Sequence, residues 1–118
     1  MKADKLGDLS KEFSVDILNL AKILHTKREN LISNQISRSA TSICANLAES
    51  KYAHGRADFI AKLEIALKEC NETSRWLEML YRSEYISEEE YKTLDRKCST
   101  IRFLLVKSIT TAKNNMQK

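Results

Sequence analysis

The near absence of helix-breaking residues constrains this chain more than any other feature. Its 118 residues contain no proline and only two glycines. Sandwiches, barrels and hairpin-rich folds need both residue types at their turns, so these folds are disfavoured. A chain of this length also has room for one hydrophobic core only. We therefore predict an all-α protein that forms a single domain over residues 1–118.

Composition excludes two further classes of protein. Hydrophobic residues make up 42% of the chain, which is too many for a disordered protein. No stretch approaches the roughly 20 uninterrupted apolar residues that a membrane span requires. Residues 1–5 lack the apolar core of a signal peptide. We expect a cytoplasmic protein that has no contact with a membrane.

Apolar residues recur at steps of three and four along most of the chain, which is the spacing of amphipathic helices. The expected helices span about residues 9–25, 27–51, 56–82 and 87–114. Gly55 marks the short loop before the third helix. Because short loops force successive helices to run in opposite directions, the pattern predicts an antiparallel up-and-down four-helix bundle.

Two of the helix starts carry capping signals. The second helix begins either at a capping box formed by Thr26 and Glu29 or at Asn30 as an N-cap. The fourth helix has the clearest start, because Ser87 is a good N-cap and Glu90 completes a capping box three residues later.

The sequence contains no constellation typical of an enzyme or a metal site. The two histidines, His25 and His54, lie near predicted helix ends. Cys44, Cys70 and Cys98 fall on apolar helical stripes, where a thiol acts as a small hydrophobic group rather than as a redox centre. A di-iron bundle would need Glu-x-x-His motifs, which are missing. We predict no catalytic residue, no metal, no cofactor and no enzymatic activity.

The distribution of charge is more informative than its total of +4. Residues 1–95 carry a net charge of −2, whereas residues 96–118 contain six basic residues and no acidic one. A basic strip on one helix attracts phosphate backbones. The alternative is that these residues complement the helix dipole and keep the bundle soluble. The candidate nucleic-acid-binding residues are Arg96, Lys97, Arg102, Lys107 and Lys113.

Several helices carry apolar residues outside their inward stripes. Phe103 and Val106 lie on the fourth helix away from its core-facing side. Similar residues on the first and third helices are Val15, Leu18, Ile60, Leu67 and Trp76. This surplus predicts a second buried surface, between subunits of a homo-oligomer, with Phe103 and Val106 at the interface.

Two adjoining segments resemble a known family. Residues 34–50, NQISRSATSICANLAES, resemble the second-helix signature of the four-helix-bundle proteins encoded in intervening sequences of bacterial 23S ribosomal RNA. Residues 58–73, DFIAKLEIALKECNET, are similar to the third-helix signature. The similarity covers about residues 9–113. It departs from the family pattern at Cys44, where proline is frequent, and at Ser50, where glycine is frequent.

The resemblance implies a bundle that assembles as a ring-shaped homopentamer and has no known enzymatic activity. The same fold occurs in the accessory variability determinant proteins of diversity-generating retroelements, whose basic pentamers bind a reverse transcriptase and nucleic acid. Expected partners are therefore RNA or DNA, with a reverse transcriptase in the alternative role of protein-interaction adaptor. Asn46 and Glu49 match polar positions of the signature, and we expect them to be structural.

Overall fold

The computed structural model describes residues 4–116. They form four helices: α1 (Lys5–Thr26), α2 (Leu31–Ser50), α3 (Arg56–Arg82) and α4 (Glu88–Met116). Successive helices pack against each other, and α4 returns to contact α1, which closes an antiparallel up-and-down bundle. The bundle is a rod of 51 × 25 × 21 Å. The described residues contain no strand, and the all-α fold class is confirmed.

The core is built from the inward stripes of all four helices, with Phe13, Ile43, Leu77 and Leu105 among its fully buried side chains. The sequence prediction was wrong for Ile60, which was assigned to the outside of the third helix and is buried in the core. Helix α3 packs extensively against both α2 and α4, so its buried face is wider than a single stripe.

The second helix begins at Leu31, four residues later than the predicted bound at residue 27. It follows directly on Asn30, the alternative N-cap, although the Asn30 side chain makes no capping hydrogen bond. Arg28 has a φ of 61°, a left-handed conformation that ends α1 and keeps the intervening residues out of the helix. The Glu29 carboxylate then accepts hydrogen bonds from the backbone N–H groups of Ile32 and Ser33, at 3.0 and 2.8 Å. Glu29 therefore caps α2 from the preceding loop, a role that neither predicted capping scheme assigned to it.

The starts of the other three helices agree with the sequence to different extents. Helix α1 begins at Lys5, four residues before the predicted start at about residue 9, because the Asp4 side chain accepts a hydrogen bond from the backbone N–H of Gly7. At the start of α4, Ser87 and Glu90 exchange side-chain-to-backbone hydrogen bonds of 3.1 Å, so the predicted capping box is confirmed. Helix α3 begins at Arg56, directly after Gly55, as predicted.

Small polar residues bring α2 close to its neighbours. The Ser14 hydroxyl on α1 donates to the Ala40 carbonyl oxygen on α2, at 3.2 Å. Toward α3, the hydroxyl oxygens of Ser39 and Thr73 lie 2.7 Å apart and are both fully buried. These bonds satisfy buried hydroxyl groups, and the short side chains allow the helices to approach each other.

Candidate nucleic-acid interface on helix α4

The five basic residues predicted to bind nucleic acid all lie on α4, but the structure divides them by their partners. Lys97 and Lys113 form ion pairs with acidic residues on neighbouring helices. Arg96, Arg102 and Lys107 form no ion pair within the described residues 4–116. Of these three, Arg96 and Lys107 can meet a phosphate without first losing a side-chain partner among the described residues, whereas Arg102 donates a hydrogen bond within α4.

Lys97 joins α4 to α1. Its ammonium nitrogen lies 2.6 Å from Asp16 Oδ2 and 3.1 Å from Glu12 Oε1. These hydrogen bonds, first to Asp16 and then to Glu12, raise the pKa of Lys97. Two carboxylates around one ammonium group neutralise its charge locally, so Lys97 contributes little attraction for a second anion.

Lys113 and Arg102 face the α3 side of the helix. The Lys113 ammonium nitrogen lies 3.2 Å from Glu64 Oε2 on α3. Arg102 is half-buried and donates from Nη2 to the Ser99 hydroxyl oxygen, at 3.0 Å. Lys118, which also contributes to the basic balance of the C-terminal segment, lies outside the described residues.

The outward face of α4 combines free cations with an exposed aromatic ring. Arg96, Phe103 and Lys107 are all exposed, and 65% of the Phe103 surface is accessible. At about 100° per residue their side chains fall within a sector of about 40°. Lys92 lies about 20° outside this sector and is paired with Glu88, at 2.9 Å. We define Arg96, Phe103 and Lys107 as the outward triad.

A neighbouring groove extends this basic face onto α3. It has a volume of about 380 Å³ and lies between the start of α3 and the last third of α4. Arg56 and Lys107 line it together with Phe59, Ser108 and Thr111. Sequence reasoning missed Arg56, because it lies some fifty residues before Lys107 and only the antiparallel packing of α3 on α4 brings the two together.

Apolar side chains remain exposed on both α1 and α4. On α4, Val106 is 47% accessible in addition to Phe103, and on α1, Val15 is 55% accessible and Leu18 is 42% accessible. The two helices are neighbours in the bundle. An isolated bundle leaves these residues exposed to water.

Two kinds of site were not found among the described residues: a metal-binding cluster and a membrane-spanning helix. Between Asp4 and Met116 no three histidine, cysteine, aspartate or glutamate side chains converge as a metal ion would require. None of the helices in that range combines the length and the apolar character needed to cross a membrane.

Fold and surface together define a class: an all-α four-helix bundle whose fourth helix carries a basic, partly apolar outer face. Within this class, the chain belongs to the family of 23S rRNA-intervening sequence proteins, whose model matches residues 5–107. The resemblance of residues 34–50 and 58–73 to that family is thereby confirmed.

A crystal structure from Bacteroides thetaiotaomicron resembles this bundle closely. It is of a protein with unknown function from the S23 ribosomal protein family, and the two sequences are 50% identical. The alignment covers 88% of this chain and 97% of the other, with a TM-score of 0.87. No functionally curated protein matches the chain.

The polar signature residues Asn46 and Glu49 have partners inside the protein. The Asn46 amide nitrogen donates to the Ser42 carbonyl oxygen one turn earlier on α2, at 2.9 Å. A Glu49 carboxylate oxygen lies 3.3 Å from the Lys62 ammonium nitrogen on α3. Glu49 therefore contacts a neighbouring helix, whereas Asn46 bonds within its own helix rather than to the loop or neighbouring helix that was expected.

Proposed function

We propose that this protein is a non-enzymatic, self-associating bundle that binds RNA or DNA without sequence preference through the outer face of α4. The observation that carries the proposal is the outward triad, in which Arg96 and Lys107 form no ion pair with the described residues and share a helix face with the exposed ring of Phe103. Free cations attract phosphates, and an exposed aromatic ring stacks on unpaired bases.

Single-stranded nucleic acid fits this surface better than a duplex. Bases of a single strand are available for stacking, whereas those of a duplex are stacked on each other. Arg56 extends the positively charged surface beyond Lys107, onto α3. Lys97, Arg102 and Lys113 add to the long-range field but hold partners of their own. Because the family takes its name from intervening sequences of 23S rRNA, RNA is the first ligand to test.

The experiment measures fluorescence anisotropy of a labelled single-stranded RNA of mixed sequence. We expect affinity to fall about tenfold between roughly 50 and 200 mM salt, as two or three phosphate contacts require. The double variant Arg96→Glu/Lys107→Glu should lose binding. Substitution of Phe103 by alanine should weaken binding by about 1–3 kcal/mol if the ring stacks on a base.

A matched control separates the site from net charge. Lys68 and Arg75 are exposed on α3 and form no ion pair within the described residues. The double variant Lys68→Glu/Arg75→Glu changes the net charge by the same amount and should keep RNA affinity. Equal loss in both double variants, or in neither, would falsify the assignment of the site to α4.

Self-association is the second part of the proposal. The surface for self-association is supplied by the exposed apolar residues Val15 and Leu18 on α1 and Val106 on α4, and the family resemblance suggests a homopentamer. In this proposal Phe103, which the sequence pattern placed at the interface, contacts RNA instead. Light scattering should give five times the 13.6 kDa of one chain. The Val106→Glu variant should reduce that mass. A species of 13.6 kDa at every concentration would contradict this part alone.

The adaptor function predicts a different outcome from the same variants. If the basic face docks an acidic protein such as a reverse transcriptase, a pull-down should recover one dominant partner after nuclease treatment. Arg96→Glu/Lys107→Glu should then lose that partner, while RNA binding by the purified protein stays weak at every salt concentration. That result would replace the nucleic-acid function.

A further inference from the structure

Two buried thiols meet at the interface of α3 and α4. The sulfur of Cys70 on α3 lies 3.5 Å from the sulfur of Cys98 on α4, and neither residue is accessible to solvent. Each sulfur also lies 3.4 Å from the backbone carbonyl oxygen of the other cysteine. This reciprocal arrangement shows that the two helices approach each other closely at this level.

The separation of the sulfurs is within reach of a covalent bond. A disulfide bond is about 2.05 Å long, so the sulfurs must approach by about 1.5 Å from their 3.5 Å separation. Rotation about the two Cα–Cβ bonds, with a small shift of the helices, supplies such a displacement. We propose that Cys70 and Cys98 form a reversible disulfide between α3 and α4 when the protein meets a peroxide.

The reaction balances with one hydrogen peroxide molecule. The Cys70 sulfur attacks one peroxide oxygen and the O–O bond breaks, which leaves a sulfenic acid, while the thiol proton departs with the other oxygen as water. The Cys98 sulfur then attacks the sulfenic sulfur, and the hydroxyl group leaves with the Cys98 proton as a second water. Two thiols lose two electrons in total, and the peroxide is reduced to two waters.

The two thiols differ in the direction of their pKa shifts. The hydrogen bond with Cys98 lowers the pKa of the Cys70 thiol, and the positive charge of Arg102 acts in the same direction. The hydrogen bond with Cys70, together with burial, raises the pKa of Cys98. The thiolate is the nucleophile, which favours attack on the oxidant by Cys70, and the same disulfide forms if the two sulfurs exchange roles.

Burial selects the kind of oxidant. Both cysteines lie inside the hydrophobic core, which excludes bulky disulfides such as oxidised glutathione but is passable to peroxide during local opening. Cys44 is only partly buried and has no cysteine neighbour among the described residues, so it offers a control thiol in the same molecule.

To test for this disulfide, the reduced, folded protein is treated with hydrogen peroxide and its intact mass is measured. We expect a loss of about 2 Da, reversed by dithiothreitol. Trypsin should release residues 69–75 joined to residues 98–102. The Cys44→Ser variant should behave in the same way, whereas Cys70→Ser and Cys98→Ala should show no loss of mass.

A folded protein that loses no mass would overturn the proposal. If circular dichroism shows a folded protein and the mass stays constant, or rises by about 16 Da at Cys44 alone, then the pair is not redox-active and the proposal is overturned. The decisive measurement uses the unmodified protein, so it does not depend on whether a cysteine variant folds. Its outcome is independent of nucleic-acid binding.

Discussion

The guanidinium group of Arg38 on α2 lies 2.7 Å from the carboxylate of Glu69 on α3, and its second terminal nitrogen lies 2.6 Å from Glu72. Glu69 is buried, and burial by itself raises the pKa of its carboxyl group. Hydrogen bonds from Arg38 and Ser42 outweigh this effect, so the pKa of Glu69 lies below its ordinary value of 4.5. The contact ties α2 to α3 through a charged group that has little access to water.

This contact predicts a specific dependence of stability on pH. Because the pKa of Glu69 is lower in the folded than in the unfolded protein, its contribution is complete above pH 4.5 and is lost as the pH falls through the folded pKa. The Glu69→Gln variant should therefore lose less stability than the wild type between about pH 5 and pH 3. Urea unfolding at several pH values measures the difference.

Removal of the cation should be costly at neutral pH. In Arg38→Met, the buried Glu69 carboxylate keeps its charge and its hydrogen bond from Ser42 but loses its cationic partner. We expect the free energy of unfolding to fall by about 1–2 kcal/mol. This is less than the cost of breaking a fully buried ion pair, because half of the Arg38 side chain is exposed. An unfolding free energy unchanged at pH 7 would show that water solvates Glu69 adequately.

Two loop residues adopt a conformation that favours glycine. Arg28 and Glu84 have φ angles of 61° and 68°, directly after the ends of α1 and α3. In both loops the next residue donates its backbone N–H to a carbonyl in the last turn of the helix, at 2.9 Å, as in a Schellman motif. Arg28→Gly and Glu84→Gly should each stabilise the protein by about 0.5–1 kcal/mol in chemical denaturation.

Gly55 supplies the control for these substitutions. Its φ of 161° is an extended conformation open to any residue, and a Cβ atom there would meet nothing within 4 Å. Gly55→Ala should leave stability unchanged or slightly improved, through the reduced entropy of the unfolded chain. A large loss of stability in Gly55→Ala, with no gain of stability in Arg28→Gly or Glu84→Gly, would contradict this interpretation of the loops.

Close packing between α1 and α2 should make Ala40 intolerant of larger side chains. Ala40 is fully buried, and its carbonyl oxygen accepts a hydrogen bond from Ser14 on the facing helix. We expect Ala40→Leu to cost about 1–3 kcal/mol, because the extra methylene groups force the helices apart. Ala45→Leu, at an exposed position of the same helix, should change stability by less than about 0.5 kcal/mol.

Substitution of Lys97 should lower mainly the stability of the protein, whereas substitution of Lys107 should lower mainly its affinity for RNA. Lys97→Met removes the pairs with Asp16 and Glu12, so we expect a stability loss of about 0.5–1 kcal/mol that shrinks at high salt. Lys107→Met should leave stability within about 0.5 kcal/mol and weaken RNA binding more than Lys97→Met does. Unfolding curves and anisotropy titrations on the same samples provide both values.

Local signals in the sequence predict most of the fold. The spacing of apolar residues gives the number and order of the helices, and the capping box of Ser87 and Glu90 gives the start of α4 to within one residue. The start of α2 was predicted less well, because Glu29 caps it while the left-handed Arg28 ends α1. Periodicity detects the interior of a helix, whereas loop geometry depends on backbone angles that many residue types share.

The candidate site shows where sequence reasoning stops. The sequence by itself determined that α4 is basic and that its outward side carries Phe103. Only the tertiary structure decided that Lys97 is neutralised by Asp16, 81 residues earlier, while Lys107 lies beside Arg56 and has no carboxylate partner among residues 4–116. The physical reason is the separation of the interacting residues along the sequence. Helix periodicity and caps depend on residues a few positions apart, whereas the partner of a charged side chain depends on which helix packs beside it.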